Sequence, residues 1–420
     1  MKKSLKWFAI ALTIMMVFSV SFFTYTQAAD SEETIRIGCI FPHSGNLAML
    51  GEESFRGAEL ALELRNSQGG INGKKVEWVI ADAPTPDAAR SEAERLITRE
   101  KVDILFGTYS SSLSVVASEV AERYGKIYFE GGAAADSIVT RGFNYTIRTQ
   151  PTSSTAGEVS IQYPVEVLAP KLGIETKDLK VVVVHEDSVF GTAIAEGCQR
   201  QADKMGVNIL AIEPYSSTTN DMSSLILKIK DLEPNVLIAV SYLNDATLMW
   251  QQMKQLDFYV PMFISNGAGH SMKEFYDAVG GAEGLYAVDV AQFDVNMDFC
   301  PGLEDFIAAY QAKYGKDPSS CHSLIHYMGA LEMFEIIEAA GSTDPDKIVE
   351  AAMKVDKPVG STCTGWGVKF IPMGEEFGGQ NERATQTVTM WTGDGKLVTV
   401  WPDRAQVAEP IVPFIPWDQR

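Results

Sequence analysis

Apolar and polar positions alternate along this chain in two distinct rhythms, and the two rhythms take turns. Short runs rich in β-branched and aromatic residues at 35–41, 75–81, 102–106 and 127–129 read as strands bounded by Gly, Pro or polar residues. Between them, 51–66, 87–100 and 112–124 carry helical spacing. In the second of these, Ala89, Ala93, Leu96 and Ile97 fall on one face, with charges opposite. Repeated β-α-β units predict parallel strands covered by helices on both faces.

The rhythm then restarts. An uninterrupted valine run at 181–184 predicts a central parallel strand. It is followed by helix 192–205, strand 207–212, helix 222–232, strand 236–240, helix 246–256 and strand 262–265. After 284–290 the pattern turns helical. Leu303, Phe306, Ile307, Tyr310 and Tyr314 form one amphipathic stripe, and a second helix is predicted over 323–340. Segments 385–392 and 396–401 flank Gly393-Asp394-Gly395, a hairpin signal. The Pro-rich stretch 402–416 reads as an irregular tail along a lobe surface. The expected fold class is therefore α/β, with two doubly wound lobes.

The N-terminal segment reads as an address. Lys2, Lys3 and Lys6 precede the mostly apolar run 7–23, and small residues at Thr26, Ala28 and Ala29 suit cleavage after Ala28 or Ala29. Residues 1–29 are thus expected to be a cleavable signal peptide directing export to the periplasm. No cysteine sits at the cleavage position, so a lipid-anchored form is not expected. No later stretch is long and apolar enough to span a bilayer.

Composition narrows the chemistry. The 420 residues carry 35 Lys plus Arg against 55 Asp plus Glu, a net charge of −20 that argues against nucleic-acid or anionic-membrane partners. No GxGxxG follows a strand, and no Walker loop, GxSxG elbow or HExxH occurs, so neither a catalytic site nor a cofactor is expected. His322 and His326 lie four apart on a predicted helix but lack a third ligand, so core or surface histidines are preferred over a metal site. Cys39 and Cys198 read as buried thiols. Cys300 and Cys321 flank a helix about 20 Å long, too far for a direct bridge. A bridge involving Cys363 stays open.

The candidate site lies in loops after predicted strands, where α/β sheets bind ligands. Gly107-Thr108-Tyr109-Ser110-Ser111-Ser112 follows one strand and opens a helix, a natural cradle for a carboxylate or an ordinary N-cap. Glu130-Gly131-Gly132-Ala133-Ala134-Ala135 follows the next. Phe190, Tyr242 and Asn266 occupy comparable loops in the second lobe.

Segments 35–57 (IRIGCIFPHSGNLAMLGEESFRG) and 69–82 (GGINGKKVEWVIAD) resemble type I periplasmic solute-binding proteins, in particular the branched-chain amino-acid receptors of ABC transporters. The serine loop, 145–149 (YTIRT), 181–191 and 215–232 continue the likeness. The resemblance implies two lobes joined by a three-crossing hinge, the first of residues 30–150 plus 288–365 and the second of 151–287 plus 366–420, with a ligand held between them. By position, Ser111 is expected to bind the ligand carboxylate, helped by Ser110, Tyr109 and the backbone of Gly132 and Ala134. Phe190 and Tyr242 are expected to close over the ligand, with Leu50 beside its side chain. Where many relatives hold the α-ammonium with a hydroxyl residue and a second-lobe acid, this chain has Ala134 and Asn266. Glu130 or Asp136 is the expected substitute acid; without one, the ligand is an apolar carboxylate or amide lacking an amino group. The implied role is the binding component of an ABC importer, delivering a small, partly hydrophobic carboxylate to a membrane permease, as a monomer. The alternative is a sensor of the same fold feeding a signalling system.

Overall fold

Two sheets with the same winding order organise residues 34–420, the part of the chain that the computed structural model describes. The expected signal peptide at 1–29 lies outside the described residues. The first sheet contains β1 (Ile35–Phe41), β2 (Val76–Asp82), β3 (Ile104–Gly107), β4 (Ile127–Glu130) and β5 (Thr146–Arg148). All are parallel, in the order β2-β1-β3-β4-β5. Helices α1 (Ala48–Ser67), α2 (Pro86–Thr98) and α3 (Ser111–Arg123) connect its first four strands. The buried face of α2 is Ala89, Ala93, Leu96 and Ile97, as its spacing predicts. Thr85 caps this helix by accepting from the Ala88 N–H, and Pro86 occupies its first turn, where no amide donor is needed.

The second sheet repeats the order with β6 (Lys180–Glu186), β7 (Asn208–Tyr215), β8 (Val236–Val240), β9 (Met262–Asn266) and β10 (Tyr286–Asp289). The antiparallel pair β11 (Thr387–Trp391) and β12 (Leu397–Trp401) extends it to β12-β11-β10-β9-β8-β6-β7. The valine run explains itself here. Val181 and Val183 enter the core on one face of the sheet, Val182 and Val184 the core on the other. A strand buried on both faces needs no polar alternation.

The remaining helices are α4 (Ser153–Tyr163), α5 (Ala169–Leu172), α6 (Val189–Met205), α7 (Ser223–Lys230), α8 (Leu243–Gln255), α9 (Lys273–Val279), α10 (Leu303–Tyr314), α11 (Cys321–Ala340) and α12 (Pro345–Ala352). Two helix pairs meet backbone to backbone. A Cβ on Gly57 of α1 would stand 1.8 Å from the Ser323 carbonyl oxygen of α11, and one on Gly157 of α4 would stand 2.3 Å from the Ile194 oxygen of α6. Only glycine permits either approach. Among the described residues, no helix is long and apolar enough to cross a membrane.

The chain passes between the lobes near residues 149–152, 290 and 385–387, and side-chain amides stitch these passages together. Asn381 donates to the Thr149 oxygen at 2.9 Å and Gln380 to the Gln150 oxygen at 2.6 Å. The lobe boundary expected at 365 needs correction. Trp366, Val368, Phe370 and Ala384 share the core of α1, α10 and α11, and Gln380 bridges Arg148 at the free edge of β5. Residues 366–384 thus build the first lobe before the chain crosses to β11. The tail runs along the second lobe, where Phe414 is buried and Tyr259 donates to its carbonyl oxygen.

Candidate functional site

Strand order 2-1-3-4-5 reverses direction beside its first strand, and the loops leaving the carboxyl ends on either side of that point part to form a crevice. Here the crevices of both sheets face each other. They enclose a cleft of about 560 Å³, lined from the first lobe by Leu50, Tyr109, Ser111, Gly132 and Ala134 and from the second by Phe190, Tyr242 and Asn266.

The first-lobe wall is a cradle of donors. Ser111 opens α3, and the first N–H groups to bond back are those of Leu113 and Ser114, both to the Ser110 oxygen. The amides of Ser111 and Ser112 therefore point out of the helix start, where the dipole favours an anion. Ser111 Oγ accepts from the Ala135 N–H at 3.1 Å, which leaves the hydroxyl proton to be donated. The Ala134 N–H meets no acceptor among the described residues, while its carbonyl is taken by the Ser153 N–H at 2.7 Å. Tyr109 takes a positive φ of 71°, unusual for a non-glycine residue. Its hydroxyl donates to the Leu47 oxygen at 3.1 Å, and its ring meets the edge of His322 at 5.4 Å.

The second-lobe wall is aromatic. The Phe190 and Tyr242 rings lie 5.9 Å apart, and a Cβ on Gly267 would come within 3.0 Å of Phe190. Glu186 staples the turn that presents Phe190, accepting from the Ser188 N–H, the Ser188 hydroxyl and the Gly191 N–H. Asp245 does the same for Tyr242, accepting from its N–H at 3.2 Å and from the Tyr215 hydroxyl at 2.8 Å. Burial raises the Asp245 carboxyl to about 7. Asn266 donates to Ser160 Oγ at 2.7 Å and to the Ala156 oxygen at 3.2 Å, so its own oxygen is the group left to offer.

Four sequence expectations are corrected by this geometry. Glu130 does not reach the cleft. It is fully buried, and its two oxygens accept from the N–H groups of Thr108, Gly132 and Ala133 and from the hydroxyls of Ser114 and Tyr128. Asp136 is likewise engaged, by Ser154 and by Arg200 at 3.6 Å. Ser110 is buried at the helix cap and is absent from the cleft lining; its carbonyl serves the first turn. Gly132 does line the cleft, but its N–H belongs to Glu130. Its missing side chain makes room for His326 instead, whose Nε2 would lie 2.6 Å from a Cβ there.

Other lining residues escaped the sequence reading: Gln150, Asp289, His322, Ile325 and Gln386. Asp289 is the acid that Asn266 is not. It ends β10, is 7 % exposed, and accepts from the Val290 N–H at 2.8 Å and from the Ser271 and Cys321 side chains. The strand-end rule that picked out Phe190, Tyr242 and Asn266 applies equally to Asp289. His326 is a core residue, and His322 is buried at the cleft wall. Burial holds His326 neutral, down to about 3, with Nδ1 donating to the His322 oxygen at 2.7 Å. Burial also lowers His322, against the pull of Asp289. Among the described residues, no group of three or more His, Cys, Asp or Glu could hold a metal ion.

A family model described as periplasmic binding protein matches residues 34–395. The chain belongs to this family. Like other periplasmic binding proteins it is built to hold a solute between two lobes, and its family places it outside the cytoplasm. It is similar to the Leu/Ile/Val-binding protein homolog 8 of Brucella abortus, 41% identical over 377 residues that cover 89% of this chain and 92% of that protein. It is 40% identical over 384 residues to the Leu/Ile/Val-binding protein homolog 7 of Brucella suis, covering 91% and 95%. Two solved structures share the fold of this periplasmic binding protein. The branched-chain amino acid transporter substrate-binding protein of Streptococcus pneumoniae in complex with isoleucine matches with a TM-score of 0.73 at 24% identity, covering 90% of this chain and 100% of that one. An R. palustris solute-binding protein in complex with benzoate matches with a TM-score of 0.72 at 20% identity, covering 90% and 99%.

Proposed function

We propose that this protein is the extracytoplasmic receptor of an ABC importer, a monomer that captures an apolar α-amino acid by lobe closure and delivers it to a membrane permease. One observation carries the choice of ligand: a helix start with unpaired amides and a buried carboxylate line the same mostly apolar cleft. The ligand carboxylate sits on Ser111 and the Ala134 N–H, and its side chain lies among Leu50, Tyr109, Phe190 and Tyr242. The ammonium faces Asp289, since an ammonium enclosed without an anion would be costly. Isoleucine and benzoate, held by two proteins of this fold, are both carboxylates on apolar bodies. They differ in the amino group, which is the feature Asp289 is suited to read. Ligand contacts from both lobes stabilise the closed state over the open one, so capture needs no bond to be made or broken.

The test is a thermal-shift screen with apolar amino acids and with matched carboxylates lacking the amino group. A ligand at a hundred times its Kd adds about 2.7 kcal/mol to stability. Amino acids are expected to raise the melting temperature of the wild type, and Asp289→Asn is expected to abolish that response. A response confined to the des-amino compounds in the wild type would overturn the assignment.

A further inference from the structure

Cys300 lies in the turn before α10, and Cys363 lies in a loop 63 positions later in sequence that folds back over that turn. The loop is closed by hydrogen bonds from Gly360 N–H to the Gly365 oxygen at 3.0 Å and from Gly365 N–H to the Thr362 oxygen at 2.8 Å. Each cysteine lies near the glycine that follows its counterpart by two residues, with the Phe299 ring also packed on Gly365. A Cβ on Gly302 would stand 4.0 Å from Cys363 Cβ, and a Cβ on Gly365 would stand 3.0 Å from Cys300 Sγ. Both thiols belong to the same hydrophobic core and are 3 % and 8 % exposed. Burial pushes each up to about 12, and Cys300 is the neighbouring charge that adds to the shift of Cys363.

The other three thiols are placed elsewhere. Cys39 is in β1, Cys198 is in α6 of the second lobe, and Cys321 donates to Asp289 at 3.5 Å. The reciprocal packing of the two segments therefore singles out one pair in a chain whose family works where disulfides persist.

We propose that Cys300 and Cys363 are joined by a disulfide in the exported protein. The bond forms by exchange with a protein disulfide oxidant. The two thiols lose two protons and two electrons, one S–S bond forms between them, and the oxidant's own S–S bond is reduced to a dithiol. Because both thiols are poor nucleophiles once buried, the exchange belongs to folding and not to the finished structure. The bond would pin the loop that carries Lys357, the partner of the buried Glu332, onto the start of α10.

The inference rests on the export reading, and the experiment separates the two. The full chain is produced in a bacterium, and the protein of the periplasmic fraction is alkylated under denaturing conditions without reduction, then digested and analysed by mass spectrometry. The Cys300 and Cys363 peptides are expected as one cross-linked species, with Cys39, Cys198 and Cys321 alkylated. Five alkylated cysteines, or a bridge to Cys321, would overturn the proposal. If the chain stays in the cytoplasm, the export reading has failed, and the pairing is judged by refolding the chain with reduced and oxidised glutathione, where the same two outcomes decide. Dithiothreitol is expected to lower the melting temperature of the oxidised protein by about 3–8 °C. It is expected to leave Cys363→Ser unmoved, and an equal effect on both would overturn the assignment.

Discussion

The two walls of the cleft solve the same problem with opposite materials. In each, a buried acid at or just beyond the end of a strand staples the loop that faces the ligand. On the first-lobe wall Glu130 is served by five donors, and the loop it shapes presents small residues and backbone amides. On the second-lobe wall Asp245 receives two donors on one oxygen, its Oδ1 has no partner, and the turn it holds presents the Tyr242 ring. A saturated acid gives a rigid wall suited to reading charge and position. A half-served acid holds an aromatic cover whose footing depends on a proton.

The largest effect is expected from Glu130→Gln, which sets an amide NH₂ against N–H and O–H donors that need an acceptor. We expect a loss of about 3–5 kcal/mol in urea denaturation, together with loss of ligand binding. A near-neutral result would erase the contrast between the walls. Ser111→Ala removes one donor from the cradle and leaves the staple intact. It is expected to weaken binding by about 1–3 kcal/mol in calorimetry, because its partner is charged, and to cost about 1 kcal/mol of stability through the Ala135 N–H left without its acceptor.

The sharpest test of the second wall is in the pH dependence of Asp245→Asn. The folded state raises this carboxyl from 3.8 to about 7, so between those values it holds a proton that the unfolded chain releases. The stability it contributes is full below 3.8 and declines as pH rises through 7. Between pH 5 and 8 the wild type is expected to lose about 2 kcal/mol relative to the asparagine variant, whose single oxygen can accept from both Tyr215 and Tyr242. Parallel stability curves for the two proteins would remove the proton from the account.

Much of this architecture was legible in the order of residues. The helical stripe of Ala89, Ala93, Leu96 and Ile97, the valine run of β6 and the loops after strands all follow from local periodicity and the geometry of parallel sheets. What escaped was whatever depends on partners distant in sequence. Glu130 reads as a ligand group until the five donors around it are seen, two of them from α3 and the loop before it. Asp289 is hidden in the sequence because helical spacing begins after residue 290, so β10 reads as an end and not as a fifth strand. His322 and Ile325 reach the cleft from α11, and Gln150 and Gln386 from the crossings, which have no periodicity to betray them. Residues 366–384 stay in the first lobe through long-range pairing with β5, and composition carries no trace of that pairing.

The three crossings have a consequence for how fast a solute can be caught. A single linker lets two bodies swing, twist and slide, and most of those arrangements bring the wrong atoms together. In the closure proposed above, three chain segments side by side, tied by Gln380 and Asn381, would resist twisting and sliding more than bending. Shutting then becomes a search along a line and not through a volume, and each attempt ends with the same faces opposed.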